Sequence, residues 1–250
     1  MEISETLVKK YDIIINGNKR YYKKPLNKFR YDLECSTPVE FIFKNVSLKE
    51  TSWNELTQLI AIKLHNLCPK KDFSVFVPSW KNYYPFSKEK VNKFYCEIDE
   101  NLYLYRNFTA SHAFMFICEL MNYCGLNLND GYLIIHRPPY AEPKEIVDSV
   151  SSQTKEAFKD FLIENYNFSD EKCTKIINNI LFHMNNVLLE HVSKSYSNWF
   201  MFSDYQYVVN YVVKFKEYIE TRSTLPPKNI KIYDRYLVYL KDFYKEYLSK

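Results

Sequence analysis

Apolar residues recur at spacings of three, four and seven from about Thr154 to the end of the chain. This period places them on one face of a helix and differs from the alternation of a half-buried strand. Four such segments follow one another. Their apolar positions are Phe158, Phe161 and Leu162; Ile176, Ile177, Ile180, Leu181, Met184, Val187, Leu188 and Leu189; Tyr207, Val208, Tyr211, Val212, Phe215, Tyr218 and Ile219; and Ile232, Tyr236, Leu237, Tyr239, Leu240, Phe243, Tyr244 and Tyr247. The pattern predicts an all-α four-helix bundle over residues 153–250.

Strand and helix patterns interleave in the first 136 residues. A β-branched run over 11–15, the dipeptide Asn16-Gly17 and an extended segment over 18–24 predict an opening β-hairpin, because Asn-Gly is the strongest two-residue hairpin signal. A capping box at Ser52-Trp53-Asn54-Glu55 starts a helix that Pro69 ends. Thr109 or Ser111 caps a second helix, which ends at Cys124 before Gly125. Further strands are predicted over 41–43, 73–77, 94–98, 102–105 and 132–136.

The fold class predicted from these patterns is α+β. A mixed α/β domain that opens with a β-hairpin covers residues 1–136, and the all-α bundle covers 153–250. Residues 137–152 between them are predicted to be a linker, because Pro138, Pro139 and Pro143 disfavour regular structure there.

Composition changes this picture little. The chain has 250 residues, a net charge of +4, 23 Tyr, 18 Phe and only 3 Gly. Residues 1–150 hold 20 basic and 18 acidic side chains and residues 151–250 hold 14 and 12, so each half carries a net charge of +2. An AT-rich genome would produce much of such a Tyr and Lys excess, so the excess by itself is not evidence of function. The global balance therefore says little about an anionic partner, and local clusters of charge matter more.

Cysteine usage and hydropathy bear on the compartment. The six cysteines are scattered, without a CxxC pair or a neighbouring pair of histidines, so a structural zinc site is not expected. Nowhere do about 18 apolar residues follow one another, and the first ten residues lack the apolar run of a secretion signal. We expect a cytoplasmic protein with reduced thiols and no membrane contact.

No set of residues in the sequence matches a catalytic or metal-binding motif, so we predict no catalytic residue, no metal ligand and no cofactor. The five histidines lack HxH or HExxH spacing, and a GxxxxGK[ST] phosphate loop is absent from the sequence. A metal-dependent nuclease is the remaining enzymatic alternative. Its acids and lysine would be Asp32, Glu34, Glu40 and Lys44, but Glu40 and Lys44 are four residues apart rather than the two of a Glu-x-Lys motif.

A basic cluster at the opening hairpin is a candidate nucleic-acid contact. Between Lys9 and Arg30 there are eight basic residues and the single acid Asp12. A two-stranded ribbon fits the major groove, lysine and arginine neutralise phosphates, and tyrosines stack on bases. The candidate contacts are Lys19, Arg20, Tyr22, Lys23, Lys24, Lys28 and Arg30. The alternative is an edge strand that carries lysine only to prevent aggregation. The aromatic segment Trp80–Phe86 likewise either binds a partner or packs on the core.

The C-terminal segment resembles the helical, SAM-like core-binding domain of tyrosine recombinases and the similar helical segment of methylcytosine-dependent restriction proteins. The resembling positions are Phe158-x-x-Phe161-Leu162, Phe168-Ser169 and Tyr236-Leu237-Val238-Tyr239-Leu240-Lys241-Asp242-Phe243, within about 95 residues. Such domains clamp duplex DNA through helix ends and basic side chains. The resemblance therefore implies DNA contacts by Lys228, Lys231 and Arg235. Recombination is not expected, because the sequence has no His-x-x-Arg motif.

Two functional hypotheses result. The first is a non-enzymatic protein that binds a DNA duplex in a bacterial defence, restriction or mobile-element system, through the basic hairpin and the start of the last helix. The second is a protein-binding adaptor or phage-encoded inhibitor that acts through an aromatic-rich surface, since Tyr, Phe and Trp dominate interface hot spots.

Overall fold

The computed structural model describes residues 3–17, 19–28, 31, 33–80, 84–138, 141–187, 198–221 and 225–249. The chain forms two compact units. Most of the first part of the chain, Tyr11–Ile14 and Tyr21–Arg137, makes what we call the α+β unit. The helical unit combines Pro138–Lys250 with two N-terminal pieces, Met1–Lys10 and Ile15–Arg20. The opening hairpin is thus divided between the units.

Among the described residues the larger sheet has five strands, in the order β1-β2-β8-β3-β4. Its strands are β1 (Ile13–Asn16), β2 (Lys19–Pro25), β3 (Thr37–Phe43), β4 (Val46–Leu48) and β8 (Gly131–His136). The central strand β8 pairs antiparallel with β2 and β3, with Ile135 opposite Tyr22 and Leu133 opposite Phe41. Leu133 and Ile135 are buried while their neighbours are partly exposed, as the two-residue period of a strand requires.

A second, smaller sheet of three strands lies in the α+β unit. The strands are β5 (Phe86–Ser87), β6 (Tyr95–Asp99) and β7 (Leu102–Tyr105), in the order β5-β7-β6. The segment 73–77, predicted as a strand, instead forms a 3₁₀ turn over Phe73–Val75. That prediction was wrong because Asp72 accepts a hydrogen bond from the Ser74 backbone at 3.0 Å, which closes a turn.

Two helices cover the sheet core of the α+β unit, α2 (Trp53–Leu67) and α3 (Ala110–Tyr123). The predicted caps are confirmed: Ser52 accepts from Glu55 N at 3.4 Å, and Thr109 accepts from His112 N at 3.3 Å. After α3, Gly125 has φ +75°, the left-handed conformation that glycine adopts at a helix end. The helices pack against each other, and α2 also packs against β3 and β6.

The helical unit contains the longest helices. They are α4 (Lys144–Tyr166), α5 (Asp170–Asn179) with its continuation through a π turn (Ile180–Met184) into α6 (Asn185–Val187), α7 (Tyr205–Thr221) and α8 (Pro227–Tyr247). A short α1 (Glu5–Tyr11) opens the chain. Buried aromatic side chains dominate the core, among them Phe158, Trp199 and Phe215. The α+β fold class with a helical C-terminal region is confirmed. The helix α4 begins at Lys144, inside the segment 137–152 predicted as linker.

Candidate nucleic-acid interface

Arg20, a predicted DNA contact, is buried inside the helical unit. Its Nε donates to Glu142 Oε1 and its Nη2 donates to Glu142 Oε2, both at 2.8 Å. The two side chains are only 6% and 2% exposed. A planar guanidinium bound to both oxygens of one carboxylate has its charge compensated and its donors occupied on that side. Arg20 is therefore a structural residue that joins the hairpin to the start of α4, and we no longer count it as a phosphate contact.

Three further predicted contacts on β2, namely Tyr22, Lys23 and Lys24, are buried or half-buried against other side chains. Tyr22 is 1% exposed, so it cannot stack on a base. The ammonium of Lys23 lies 4.0 Å from the ring centroid of Tyr132, and that of Lys24 lies 5.1 Å from the ring centroid of Tyr31. Burial is the main cause that lowers the pKa of Lys24. Both lysines bind aromatic faces in this arrangement.

Three predicted contacts of the basic cluster remain. Lys19, in the helical unit, and Lys28, in the α+β unit, are exposed. Arg30 lies outside the described residues. Earlier in the chain, Lys10 contacts Glu145 at 2.7 Å in the helical unit. The basic cluster that stands out in the sequence is thus largely compensated by carboxylates and aromatic rings.

The basic residues at the start of α8 are placed differently. Lys228, Lys231 and Arg235, which we call the α8 basic stripe, are all exposed. Their spacing of three and four residues puts them on one side of the helix over about 10 Å of its length. Among the described residues, no carboxylate lies within 4.0 Å of any of the three cations.

The buried face of α8 fixes the direction of the stripe. The buried residues of the helix are Tyr233, Leu237, Leu240, Phe243 and Tyr244. At 100° per residue, most of them lie about 180° around the helix from the stripe, which therefore faces away from the core. The first turn of α8 carries no acidic residue that would offset the partial positive charge of its N-terminus. This end of α8 is suited to bind an anion.

The residues of the nuclease alternative are not brought together as a metal site. Glu40 accepts a hydrogen bond from Ser47 Oγ at 2.6 Å, and Lys44 lies 3.8 Å from Asp130. Asp32 lies outside the described residues, and Glu34 is exposed. Over the part of the chain that the structure describes, no group of three or more His, Cys, Asp or Glu side chains could hold a metal ion.

The aromatic segment Trp80–Phe86 contributes to packing where it is described. The indole of Trp80 stacks on the His112 ring, with centroids 4.4 Å apart and planes inclined by 7°. Phe86 is buried and contacts the ring of Phe73 at 5.3 Å. Only Tyr84, at 57%, is a large exposed side chain among the described residues of the segment, and residues 81–83 lie outside them.

An apolar groove in the α+β unit is a feature that the sequence did not reveal. It is a cavity of about 80 Å³, open to solvent, between the edge of the large sheet and the helices α2 and α3. Its walls are apolar side chains, including Val46 and Leu48 of β4 and Leu67 of α2, with Lys63 as the one charged lining residue. We call it the β4 groove. Leu67 falls on the apolar face of α2 together with Leu56, Ile60 and Leu64, so the sequence alone predicts that it is buried; in the structure it is 64% exposed at the end of the helix.

Comparison with protein-family models, with curated proteins and with solved structures finds no match. In the described part of the chain, none of the helices combines the length and the apolar character needed to cross a bilayer. Function must therefore be inferred from the side chains of this chain and their geometry.

Proposed function

We propose that the chain is a non-enzymatic DNA-binding protein of the cytoplasm that contacts the phosphate backbone of a duplex through the α8 basic stripe. One observation carries this proposal: three exposed cations, which have no carboxylate partner among the described residues, share the outer side of a helix whose first turn has no acid. Phosphates bind where helix N-termini and unpaired lysine or arginine side chains coincide. The resemblance to core-binding domains agrees with this role, and a place in bacterial defence or a mobile element rests on that resemblance alone.

The proposal uses fewer residues of the opening hairpin than the sequence predicted. Lys19 and Lys28 are exposed, in the helical unit and the α+β unit respectively, and the proposal uses neither of them. Arg20 and Tyr22 are buried, and Lys23 and Lys24 lie against tyrosine rings. A surface stripe of three cations contacts the backbone without reading bases, so binding is expected to be independent of sequence.

The test is the affinity for a fluorescent duplex of mixed sequence, measured by anisotropy at low salt. Replacing Lys228, Lys231 and Arg235 together by glutamine is expected to weaken binding about tenfold or more, because three phosphate contacts are removed. The matched control replaces Lys144, Lys175 and Lys214, three exposed lysines of the same unit, and changes the net charge equally. Equal affinities of the two triple variants, or no binding by the wild type, would refute the proposal.

Protein binding is the second candidate function, and the β4 groove favours it. Apolar side chains line an open cavity, and two of them are strongly exposed: Val46 at 44% and Leu67 at 64%. Covering these side chains by another chain would remove apolar surface from water. The surface that suggests an adaptor is thus aliphatic, whereas the sequence pointed to aromatic residues.

A further inference from the structure

The β4 groove lies beside an open sheet edge. β4 is the last strand in the order β1-β2-β8-β3-β4, and among the described residues no strand pairs with its outer side. Its residues Val46 and Leu48 stand opposite Phe43 and Phe41 of β3, and all four side chains line the groove. Ser47 points to the other face, where its Oγ donates to Glu40. The backbone groups on the outer side of β4 are therefore available to another strand, directly above an apolar cavity.

An added strand would cover the exposed apolar side chains next to this edge. Alternate residues of a strand point to the same face, so every second side chain of the incoming segment would enter the groove. There it would contact Leu67, which is 64% exposed at the end of α2, and Val46. A cavity of about 80 Å³ holds one aliphatic side chain, since an apolar cavity of about 150 Å³ holds a benzene molecule. The geometry therefore fits an extended segment with alternating apolar residues.

Charge at the groove distinguishes between possible occupants. Lys63 lines the groove and Lys49 directly follows β4; both are exposed. No carboxylate of a described residue lies within 4.0 Å of either ammonium. A second copy of this chain paired through β4 would bring the same lysines to the same edge, where like charges oppose association. A segment with acidic residues beside its apolar positions would attract them.

We infer that the β4 groove binds an extended segment of another protein, in which alternating aliphatic residues are flanked by aspartate or glutamate, by adding a strand to the edge of the sheet. This inference deepens the second candidate function. It uses only residues of the α+β unit, so it is independent of DNA binding by the α8 basic stripe. Main-chain hydrogen bonds to β4 supply affinity, and the groove and its lysines supply selectivity.

The probe is a synthetic fluorescent peptide of ten residues with valine and leucine alternating with threonine and two aspartates at each end. One control peptide has lysine in place of aspartate, and a second has proline in place of two threonines, which removes backbone donors. Full-length wild-type protein is expected to bind the aspartate peptide with a dissociation constant on the order of 100 µM, and each control peptide about tenfold more weakly.

Two variants of the protein locate the site. Leu67→Asp is expected to weaken binding of the aspartate peptide at least about tenfold, because it places a carboxylate in an apolar contact. Val91→Asp is the matched control: Val91 is also 64% exposed and does not line the groove. Lys63→Glu is expected to reverse the preference, so that the lysine peptide binds more tightly than the aspartate peptide. Circular dichroism checks that each variant is folded.

Several results would overturn the inference. One is that the wild type does not bind the aspartate peptide at millimolar concentration. Another is that the wild type and Leu67→Asp bind it equally well, and a third is that the aspartate and lysine peptides bind the wild type with the same affinity. A wild-type dimer in sedimentation that Leu67→Asp dissociates would assign the groove to a second copy instead. The peptide assay is repeated on the triple glutamine variant of the α8 basic stripe, which is expected to bind the peptide normally. Failure of the DNA proposal and failure of this one can thus be told apart.

Discussion

Replacing Arg20 by methionine distinguishes a structural arginine from a DNA-binding one. In the structure this guanidinium makes two hydrogen bonds of 2.8 Å to Glu142, and the side chains are 6% and 2% exposed. The substitution leaves the carboxylate of Glu142 without this cation in a site from which water is nearly excluded. We therefore expect a loss of folding stability and no direct loss of DNA affinity.

The size of the effect follows from this burial. Removing one partner of a buried, hydrogen-bonded ion pair destabilises by about 3–5 kcal/mol, because the remaining charge loses the opposite charge that it was paired with. A whole domain is stable by only about 5–15 kcal/mol, so Arg20→Met should remove a large fraction of the stability of the helical unit. The double variant Arg20→Met/Glu142→Leu removes both charges and is expected to recover most of the loss.

Urea unfolding followed by circular dichroism measures these changes. The structure supplies a matched control in the same unit. Lys10 Nζ donates to both oxygens of Glu145 at 2.7 and 2.8 Å, but these side chains are 51% and 52% exposed. Lys10→Met is therefore expected to change the free energy of unfolding by less than about 1 kcal/mol.

Two outcomes would refute the reasoning about Arg20. One is an unfolding free energy of Arg20→Met no lower than that of Lys10→Met, which would mean that the pair is not desolvated. The other is a folded, fully stable Arg20→Met protein that no longer binds DNA, which would restore the contact predicted from sequence. A double variant that is no more stable than the single one would show that the charges were not the cause.

Three further predictions concern the α+β unit. A Cβ at Gly131 would lie 2.7 Å from the backbone oxygen of Ile42, so Gly131→Ala should lower stability by about 1–3 kcal/mol in thermal melts; a wild-type melting temperature would contradict this. Burial raises the pKa of Tyr31 from 10.0 to about 12, so the unfolded chain loses this proton first and stability should fall between these pH values. The free energy of unfolding, measured with urea at pH 8 and pH 11, should fall less with pH for Tyr31→Phe than for the wild type. Equal falls in the two proteins would refute this prediction. The pKa of Cys124 is raised to about 12, mainly by burial and to a smaller extent by the neighbouring Cys68 thiol, whereas Cys35 is exposed. Maleimide should therefore label Cys35 about a hundredfold faster at pH 8, as peptide mass mapping would show, and similar rates would count against this burial.

Elements with strong local signals were predictable from sequence. Ser52 and Thr109 cap α2 and α3 as expected, because a capping side chain and its backbone donor are three residues apart. The short helix α1 was missed. A helix of seven residues is unstable by itself, and the contact that α1 makes through Lys10 is with Glu145, 135 residues away in the sequence. The short apolar run 73–77 led to a strand that does not form, because such a run is compatible with either a strand or a turn of helix.

The candidate site was only partly predictable for the same reason. The residues of the α8 basic stripe were predicted through the resemblance to core-binding domains, and the helical period of the apolar residues on the other face of α8 accounts for their exposure. Which basic side chains of the opening hairpin are exposed could not be predicted from the local sequence pattern. Alternation puts Arg20 and Tyr22 on one face of β2, but the residue that binds the Arg20 guanidinium, Glu142, is 122 residues away in the sequence. A cluster of basic residues in sequence therefore does not establish a basic surface.

The dependence of duplex affinity on salt concentration tests the central claim most directly. If Lys228, Lys231 and Arg235 each neutralise one phosphate, a plot of log affinity against log salt should have a slope near −2.7, about −0.9 for each contact. Affinity would then fall about fortyfold between 50 and 200 mM salt, and each single glutamine substitution should make the slope shallower by about 0.9. A slope that is the same in the wild type and the triple variant would contradict the assignment of DNA binding to α8.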